Sequence, residues 1–355
     1  MTTTFIILSF LLFLMSFLPS FRITHWSVQV FDYIRIQVLF LQLAIVIASF
    51  LLVEEESTLL YLSQVALLIA IAYQVYIIWP YVPLSSIFTK KKPVSYETSA
   101  KEISIVTANV LQKNKEYHRL IKLVKEVNPD ILLTTETNED WENALQEIES
   151  DFPNHHKIAL ENRYGMHFYT KLQAIEVKEH FLISDETPSI EALLEDEDGN
   201  RFVFWGIHPP PPSPTEKPTS KQNDAELMKL GKLIRDTKYP SIVVGDFNDV
   251  CWSRSSRLFA KISKLKDVRK GRGVLGTFPV RPSIFRFPLD LIFCSKGIQV
   301  NAIKILSDIG SDHLPLFSKI TVSSLYATTE VEMDSDLEEE IDEIIKEGRK
   351  EAYKE

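Results

Sequence analysis

Long apolar stretches dominate the first part of the chain, and shorter apolar runs alternate with polar segments after it. Three stretches free of Asp, Glu, Lys and Arg cover residues 3–18, 36–53 and 59–82. A bilayer core needs about 20 apolar residues of helix, so the pattern predicts three transmembrane helices, of which the first is short. A cleaved signal peptide is less favoured, because residues 1–4 contain no Lys or Arg and no small-residue cleavage motif follows Pro19.

Charged residues beside these stretches predict an orientation. Arg22, Arg35 and the lysines at 90–92 lie on one predicted side of the membrane, and the acidic run 54–56 lies on the other. Because basic loops stay on the cytoplasmic side, we expect an integral, multi-pass protein with a cytoplasmic domain. The orientation depends on a count of three spans. Residues 1–89 form the predicted transmembrane region, and residues 90–100 form a basic juxtamembrane linker.

Beyond the linker, apolar runs of strand length alternate with segments of helical periodicity. Strands are predicted at 103–108, 131–135, 166–170, 190–194, 202–208, 241–245, 289–294, 300–306 and 316–322. Helices are predicted at 117–127, 140–148, 225–234 and 255–265. This order predicts a layered α/β or α+β domain at 101–326. A proline-rich segment after residue 208 predicts a stiff, exposed loop.

The net charge of −9 is unevenly distributed. The tail at 327–355 holds twelve acidic and four basic residues, so the predicted domain is nearly neutral. Near-neutrality neither requires nor forbids an anionic substrate. Apolar residues at helical spacing in the tail predict a solvated helix, with a partner-binding helix as the alternative. The two cysteines, Cys251 and Cys294, are too few for a disulfide framework.

Polar side chains capable of chemistry recur where predicted strands end. A single such residue usually caps a helix or forms a turn, but a set at successive strand ends is harder to explain structurally. The set comprises Asn109, Glu136, His208, Asp246, Asn248, Asp290, Asp312 and His313.

Six short blocks containing these residues resemble the endonuclease/exonuclease/phosphatase superfamily, which includes deoxyribonuclease I, inositol polyphosphate 5-phosphatases and neutral sphingomyelinases. The blocks are Thr107-Ala-Asn109-Val, Pro129-Asp-Ile-Leu-Leu-Thr-Thr-Glu136, Gly206-Ile-His208, Val244-Gly-Asp246-Phe-Asn248, Leu289-Asp290-Leu-Ile-Phe293 and Gly310-Ser-Asp312-His313-Leu-Pro315. They occur in the family's order and span nearly the whole predicted domain. The resemblance implies a four-layer α/β sandwich, deoxyribonuclease I-like, with its active site at one edge of two sheets.

The resemblance also implies a metal site. Mg²⁺ prefers carboxylate and amide oxygens, which Glu136, Asn109 and Asp312 would supply, with Mn²⁺ as an alternative ion. The metal would polarise the phosphoryl group. Leu111 stands where the family often has a second acidic residue, and this departure predicts weaker binding or one ion instead of two.

The remaining matched residues would carry out the hydrolysis. Asp246 would orient or deprotonate a water, and Asn248 would donate a hydrogen bond to a phosphate oxygen. His313, paired with Asp290, would stabilise phosphoryl charge or transfer a proton. His208 would face the phosphate.

Together these features predict a membrane-anchored, Mg²⁺-dependent phosphoesterase whose substrate carries a phosphate on a lipid headgroup or a nucleic acid. Ten Lys or Arg residues within 254–286 indicate either an anion-binding rim or a solvated basic surface. Three alternatives remain: a nuclease acting on DNA or RNA, a catalytically inactive membrane scaffold, and an unrelated α/β binding module whose polar residues are structural.

Overall fold

The computed structural model of the protein describes residues 1–54, 57–85, 101–323 and 334–353. The predicted juxtamembrane linker at 90–100 therefore lies outside the described residues, as do parts of the acidic run at 54–56 and of the tail.

The N-terminal region contains α1 (Thr2–Phe17), α2 (Trp26–Tyr33), α3 (Arg35–Leu52) and α4 (Thr58–Ile78). Three segments are long and apolar enough to cross a membrane, at Thr2–Ser20, Arg35–Leu52 and Thr58–Tyr81. The prediction of three such helices is confirmed. Many of their apolar side chains are exposed, which is expected of a surface that contacts lipid.

Buried polar side chains connect the three long helices. Gln42 on α3 donates a hydrogen bond to Ser16 Oγ on α1 over 2.6 Å, and Gln64 on α4 donates to Ser49 Oγ on α3 over 2.9 Å. Interhelical hydrogen bonds of this kind stabilise helix association where the hydrophobic effect is weak. The three helices therefore form a packed bundle.

The domain beyond residue 100 contains two six-stranded sheets. The strands are β1 (Ile103–Asn109), β2 (Ile131–Thr135), β3 (Asn154–Ile158), β4 (Met166–Thr170), β5 (Gln173–Phe181), β6 (Pro188–Glu195), β7 (Arg201–Ile207), β8 (Ser241–Asp246), β9 (Lys266–Asp267), β10 (Asp290–Cys294), β11 (Ile298–Ile305) and β12 (Leu316–Val322). The first sheet has the order β11-β12-β1-β2-β4-β3, and the second has the order β5-β6-β7-β8-β10-β9. Only β1/β2 and β7/β8 are parallel among the pairs described.

Helices cover the outer face of each sheet. The first sheet packs on α5 (Tyr117–Val127) and α6 (Glu139–Glu149), and the second on α7 (Lys221–Arg235) and α8 (Arg254–Ser263). Apolar side chains of both sheets fill the space between them, including Leu133, Phe168, Phe204, Val244 and Ile292. The predicted four-layer α/β sandwich is confirmed.

The acidic tail contains a further helix, α9 (Ser335–Ala352), that packs against α7. Leu337, Ile341 and Ile345 are buried in the core shared with α7 and α8. Lys232 on α7 pairs with Asp342 across this contact. The prediction of a solvated helix is therefore wrong, because the apolar face of α9 covers a core that α7 and α8 leave open.

Strand register positions the functional side chains at one edge of the two sheets. In the parallel pair β1/β2, Asn109 lies opposite Thr135, so Glu136 follows directly at the strand end. In the antiparallel pair β8/β10, the last residue of β8, Asp246, lies opposite the first residue of β10, Asp290. Asn109, Glu136, Asp246 and Asp290 are far apart in the sequence, and the two sheets bring them together.

Candidate active site

Glu136 and Asn109 meet at the ends of β2 and β1. Asn109 Nδ2 donates to Glu136 Oε1 over 2.9 Å, and the backbone N–H of Gln112 donates to Glu136 Oε2 over 3.2 Å. Glu136 has a φ of 61°, a left-handed conformation that is rare for a non-glycine residue. Such strain often occurs at functional sites, and here it accompanies a carboxylate held on both oxygens.

Asp246 lies at the centre of the site and is 1% exposed. Its Oδ2 accepts a hydrogen bond from Asn109 Nδ2 over 3.0 Å, and its Oδ1 accepts one from the backbone N–H of Asn248 over 2.9 Å. Oδ2 also lies 3.5 Å from His313 Nε2 and 3.8 Å from His208 Nε2. One carboxylate therefore connects both sheets and both histidines.

His313 forms a buried pair with Asp290. Its Nδ1 lies 2.9 Å from Asp290 Oδ2, and the ring packs 4.7 Å from that of Phe278. Burial disfavours the charged imidazole, but the carboxylates of Asp246 and Asp290 outweigh burial and raise the pKa of His313 to about 10. The imidazole is therefore a cation at neutral pH, directed at Asp246.

Asn248 and His208 border the same space. Asn248 has a φ of 50° and donates from Nδ2 to the carbonyl oxygen of Pro209 over 2.9 Å, which leaves its second Nδ2 hydrogen for another acceptor. His208 is buried, and its Nδ1 has no partner among the described residues. The proline-rich loop that follows is exposed only in part, since Pro209, Pro210 and Pro212 are buried, whereas Pro214 and Thr215 are exposed as predicted.

The predicted residues share one cleft of about 680 Å³. Glu136, His208, Asp246, Asn248, Asp312 and His313 line it. Asn109 and Asp290 lie directly behind the lining, in hydrogen-bond contact with Asp246 and His313 respectively. Asp312 is exposed on the rim, next to His313. The structure therefore brings all eight predicted residues together.

Two groups of donors could hold a divalent cation. Glu136 and Asp312 present carboxylates to the cleft, and such oxygens suit Mg²⁺. Asp246, Asp290 and His313 also lie within 4.8 Å of one another. A protonated His313 offers no lone pair to a metal, so the second group is better suited to proton transfer and charge stabilisation.

Asn109, which the sequence predicts as a metal ligand, has both atoms of its side-chain amide in hydrogen bonds. Its Oδ1 accepts a hydrogen bond from the backbone N–H of Leu111 over 2.9 Å, while its Nδ2 faces Glu136 and Asp246. The two carboxylates need a hydrogen-bond donor and the Leu111 N–H needs an acceptor. These partners assign the orientation of the Asn109 amide, with Nδ2 toward the carboxylates and Oδ1 toward Leu111. Asn109 therefore bonds two carboxylates of the site, and its role as a metal ligand stays a prediction.

Several residues of the site were not predicted from the sequence. Gln112 and Tyr164 line the cleft, and Ser311 Oγ donates to the carbonyl oxygen of Asn109 over 2.8 Å. Tyr33, at the end of α2, donates its hydroxyl hydrogen to the carbonyl oxygen of Asn248 over 2.9 Å. Ser311 lies within the Gly310-Ser-Asp312 block, which was the only sequence signal for any of them.

The basic segment at 254–286 does not form the rim of the cleft. None of its ten Lys or Arg residues lines the cleft in the described structure, and the basic lining residues are Lys113, Lys115 and Arg163. Arg269 is buried and donates to the carbonyl oxygen of Asp290, whereas Arg272 bonds backbone carbonyls. The interpretation of this segment as an anion-binding rim is therefore not supported by its position.

The fold and site together define a hydrolase fold of the deoxyribonuclease I type. Residues 106–313 match the endonuclease/exonuclease/phosphatase family, and the chain belongs to this family. No curated protein sequence matches the chain at a significant level.

Solved structures support the same fold at low sequence identity. A Danio rerio TDP2 crystallised with single-stranded DNA product has a TM-score of 0.52 and 14% identity over 62% of this chain and 100% of its own. A mannosyl-6-phosphatase from Bacteroides thetaiotaomicron has a TM-score of 0.50 and 20% identity over 62% of this chain and 99% of its own. At these identities the likeness shows the fold alone.

Proposed function

We propose that the protein is a membrane-anchored, Mg²⁺-dependent phosphoesterase that hydrolyses a phosphodiester or phosphomonoester. The observation that carries the proposal is the buried Asp246 carboxylate, which contacts Asn109, Asn248 and His313 at the edge of a cleft. Family membership supports the reaction class, because its members hydrolyse phosphoester bonds. The three apolar helices support anchoring as an integral, multi-pass protein.

Glu136 and Asp312 would hold the divalent ion, with Asn109 keeping the Glu136 carboxylate in place. The ion, when bound, would neutralise charge on the phosphoryl oxygens. Asp246 orients a water and accepts its proton as the water oxygen bonds to phosphorus. The ester P–O bond breaks opposite the attacking water, and the leaving oxygen keeps the bonding electron pair and takes a proton from solvent. The free Nδ2 hydrogen of Asn248 and the cationic His313 stabilise the negative charge that builds on the phosphoryl group.

The segment between the first two apolar helices contacts the proposed active site and the residues beside it. Trp252 Nε1 donates to the carbonyl oxygen of Asp32 over 2.9 Å, and the hydroxyl of Tyr33 reaches Asn248. These contacts support a topology with three spans, in which the loop between the first two spans and the domain share one side of the membrane. The basic residues Arg22 and Arg35 of this loop then favour a cytoplasmic domain.

A substrate panel tests this function. Purified full-length protein and its Asp246→Ala variant are incubated with Mg²⁺ and phosphoesters of lipid, nucleotide, sugar and nucleic-acid type. We expect turnover of at least one class by the wild type and a loss of about 100-fold or more in the variant. Equal turnover by both proteins, or none by either on every class, would contradict the proposal.

A further inference from the structure

The loop at 281–286 lies against the start of a membrane-spanning helix. The side chain of Gln37, in the first turn of α3, donates to the carbonyl oxygen of Ile284 over 2.9 Å. Ile284 and Phe285 form a short 3-10 turn at the tip of this loop and are 73% and 50% exposed. One helical turn rises about 5.4 Å, so the tip lies near the level at which α3 enters the bilayer.

Two exposed apolar residues on a soluble protein would need no explanation. Here they are adjacent, and the hydrogen bond from Gln37 holds them beside the start of a helix proposed to span the membrane. Arg286 bonds the carbonyl oxygens of Pro279 and Val280 over 3.2 and 2.6 Å, which fastens the base of the loop. Arg281 is exposed beside the tip, and cations are favoured near anionic headgroups. This arrangement is typical of a loop that inserts its apolar tip into a bilayer surface.

A continuous row of aromatic side chains connects this loop region to the catalytic histidine. Phe278 packs on His313 with ring centroids 4.7 Å apart, Phe287 packs on Phe278 at 5.5 Å, and Tyr33 stacks on Phe287 at 5.3 Å. All of them line the cleft, as does Leu289. One wall of the proposed active site is therefore apolar and begins at the helix that precedes α3.

The basic residues of the cleft belong to other loops. Lys113 is exposed on the rim, and Lys115 and Arg163 also line the cleft. A ligand with a phosphate and a neighbouring apolar portion suits a cleft that combines these cations with an aromatic wall. A nucleic acid would need aromatic rings presented for base stacking, whereas Phe278 and Phe287 pack against each other and are only partly exposed.

We propose that the substrate is a membrane lipid with a phosphoester headgroup, taken from the bilayer that holds the protein. This inference rests on the proposed function. Ile284 and Phe285 insert into the bilayer beside the cleft, and the row from Tyr33 to Phe278 contacts the apolar part of the lipid while its phosphate reaches Asp246. Because enzyme and substrate share one bilayer, the effective concentration of substrate is high.

The test compares a lipid substrate with a soluble one. Full-length protein is reconstituted into vesicles of phosphatidylcholine, phosphatidylethanolamine, phosphatidylglycerol and phosphatidylinositol in equal amounts. We expect the double variant Ile284→Ser/Phe285→Ser to lose about tenfold or more of lipid hydrolysis while its turnover of soluble bis-p-nitrophenyl phosphate stays unchanged. The matched control is Ile175→Ser/Phe181→Ser, which removes exposed residues of the same types from β5, outside the cleft lining.

Insertion is measured separately with a fluorescent label. The native cysteines Cys251 and Cys294 are buried, so a label at Ile284→Cys reports on the loop and one at Phe181→Cys serves as control. We expect quenching by spin-labelled lipids at the first position only. A water-exposed label at position 284, or turnover of soluble diester without phospholipid hydrolysis, would overturn the inference. No turnover of any substrate would instead mean that the proposed function has failed.

Discussion

His313 Nδ1 lies 2.9 Å from Asp290 Oδ2, and Asp290 is the register partner of Asp246, the carboxylate that His313 faces through its other nitrogen. The imidazole is thus held between two carboxylates that the pairing of β8 with β10 fixes in space. The strand pairing therefore positions the two carboxylates that raise the pKa of His313 most, and the adjacent Asp312 raises it further.

Asp290→Asn tests the His313 pair. Removing this carboxylate deletes one of the charges that raise the pKa of His313, so the imidazolium loses its proton at lower pH. We expect kcat to fall about 100-fold and the alkaline limb of the pH–rate profile, near pH 10 in the wild type, to move to lower pH. An unchanged alkaline limb would mean that His313 does not act as a cation.

Glu136→Gln tests the metal site. The amide keeps the size of the side chain and removes the charge that faces the cleft, so we expect a weaker apparent affinity for Mg²⁺, by about tenfold or more. Titration of activity against Mg²⁺ measures it, together with direct calorimetric binding. The control is Glu139→Gln, an exposed residue in the first turn of α6. Equal Mg²⁺ affinity in both variants would show that Glu136 does not bind the metal.

Much of the fold follows from the sequence because its central strands are apolar runs. The predictions of strands at 131–135 and 166–170 are confirmed residue by residue as β2 and β4. The edge strands β3 and β5 were missed, because Asn154–Ile158 and Gln173–Phe181 are mostly polar and largely solvent-accessible. Their strand conformation comes from pairing with β4 and β6.

The site was predictable only in part. Strand-end acids, amides and histidines are visible in the sequence as a set, and the structure places them in one cleft. Tyr33 gives no such signal, because it lies 215 residues before Asn248 and contacts it only after the first loop packs on the domain. The left-handed conformations of Glu136 and Asn248 were equally invisible, since the surrounding fold imposes them.

Glu226 makes stability depend on pH. Burial raises its pKa to about 8, against hydrogen bonds from Thr187 and Gln222, whereas the ordinary value is 4.5. Between these values the folded protein keeps a proton that the unfolded chain has released, so rising pH favours unfolding, by at most about 1.4 kcal/mol per pH unit. We expect Glu226→Gln to flatten the fall in melting temperature from pH 5 to 8. A slope identical to that of the wild type would exclude this group as its source.

Gly245 allows the close approach of β8 to β7. Its φ is 149°, and a Cβ there would lie 2.0 Å from the carbonyl oxygen of Ile207. We expect Gly245→Ala to lower the free energy of unfolding by about 3 kcal/mol, measured by denaturant unfolding in detergent. Gly199, with a φ of 79° and nothing within 4 Å of a Cβ, is the control, and its alanine variant should lose only about 1 kcal/mol. Equal losses would show that the contact with Ile207 is unimportant.

The C-terminal helix is part of the domain core. Ile341 is fully buried against α7 and α8, so Ile341→Ala should cost about 2–5 kcal/mol of stability. Glu343→Ala, at an exposed position of the same helix, should change it by less than about 0.5 kcal/mol. Melting temperatures of both variants check this. Equal melting temperatures of the two variants would show that α9 is a solvated helix, as predicted from the sequence.

Metal-dependent turnover that requires Asp246 tests the proposed function most directly. Hydrolysis of bis-p-nitrophenyl phosphate by full-length protein is measured with Mg²⁺, with EDTA, and after Mg²⁺ is restored, for the wild type and for Asp246→Asn. We predict that EDTA abolishes wild-type turnover reversibly and that the variant is slower than the wild type by about 100-fold or more whenever Mg²⁺ is present. Turnover that persists in EDTA, or an Asp246→Asn variant as active as the wild type, would contradict the proposed function.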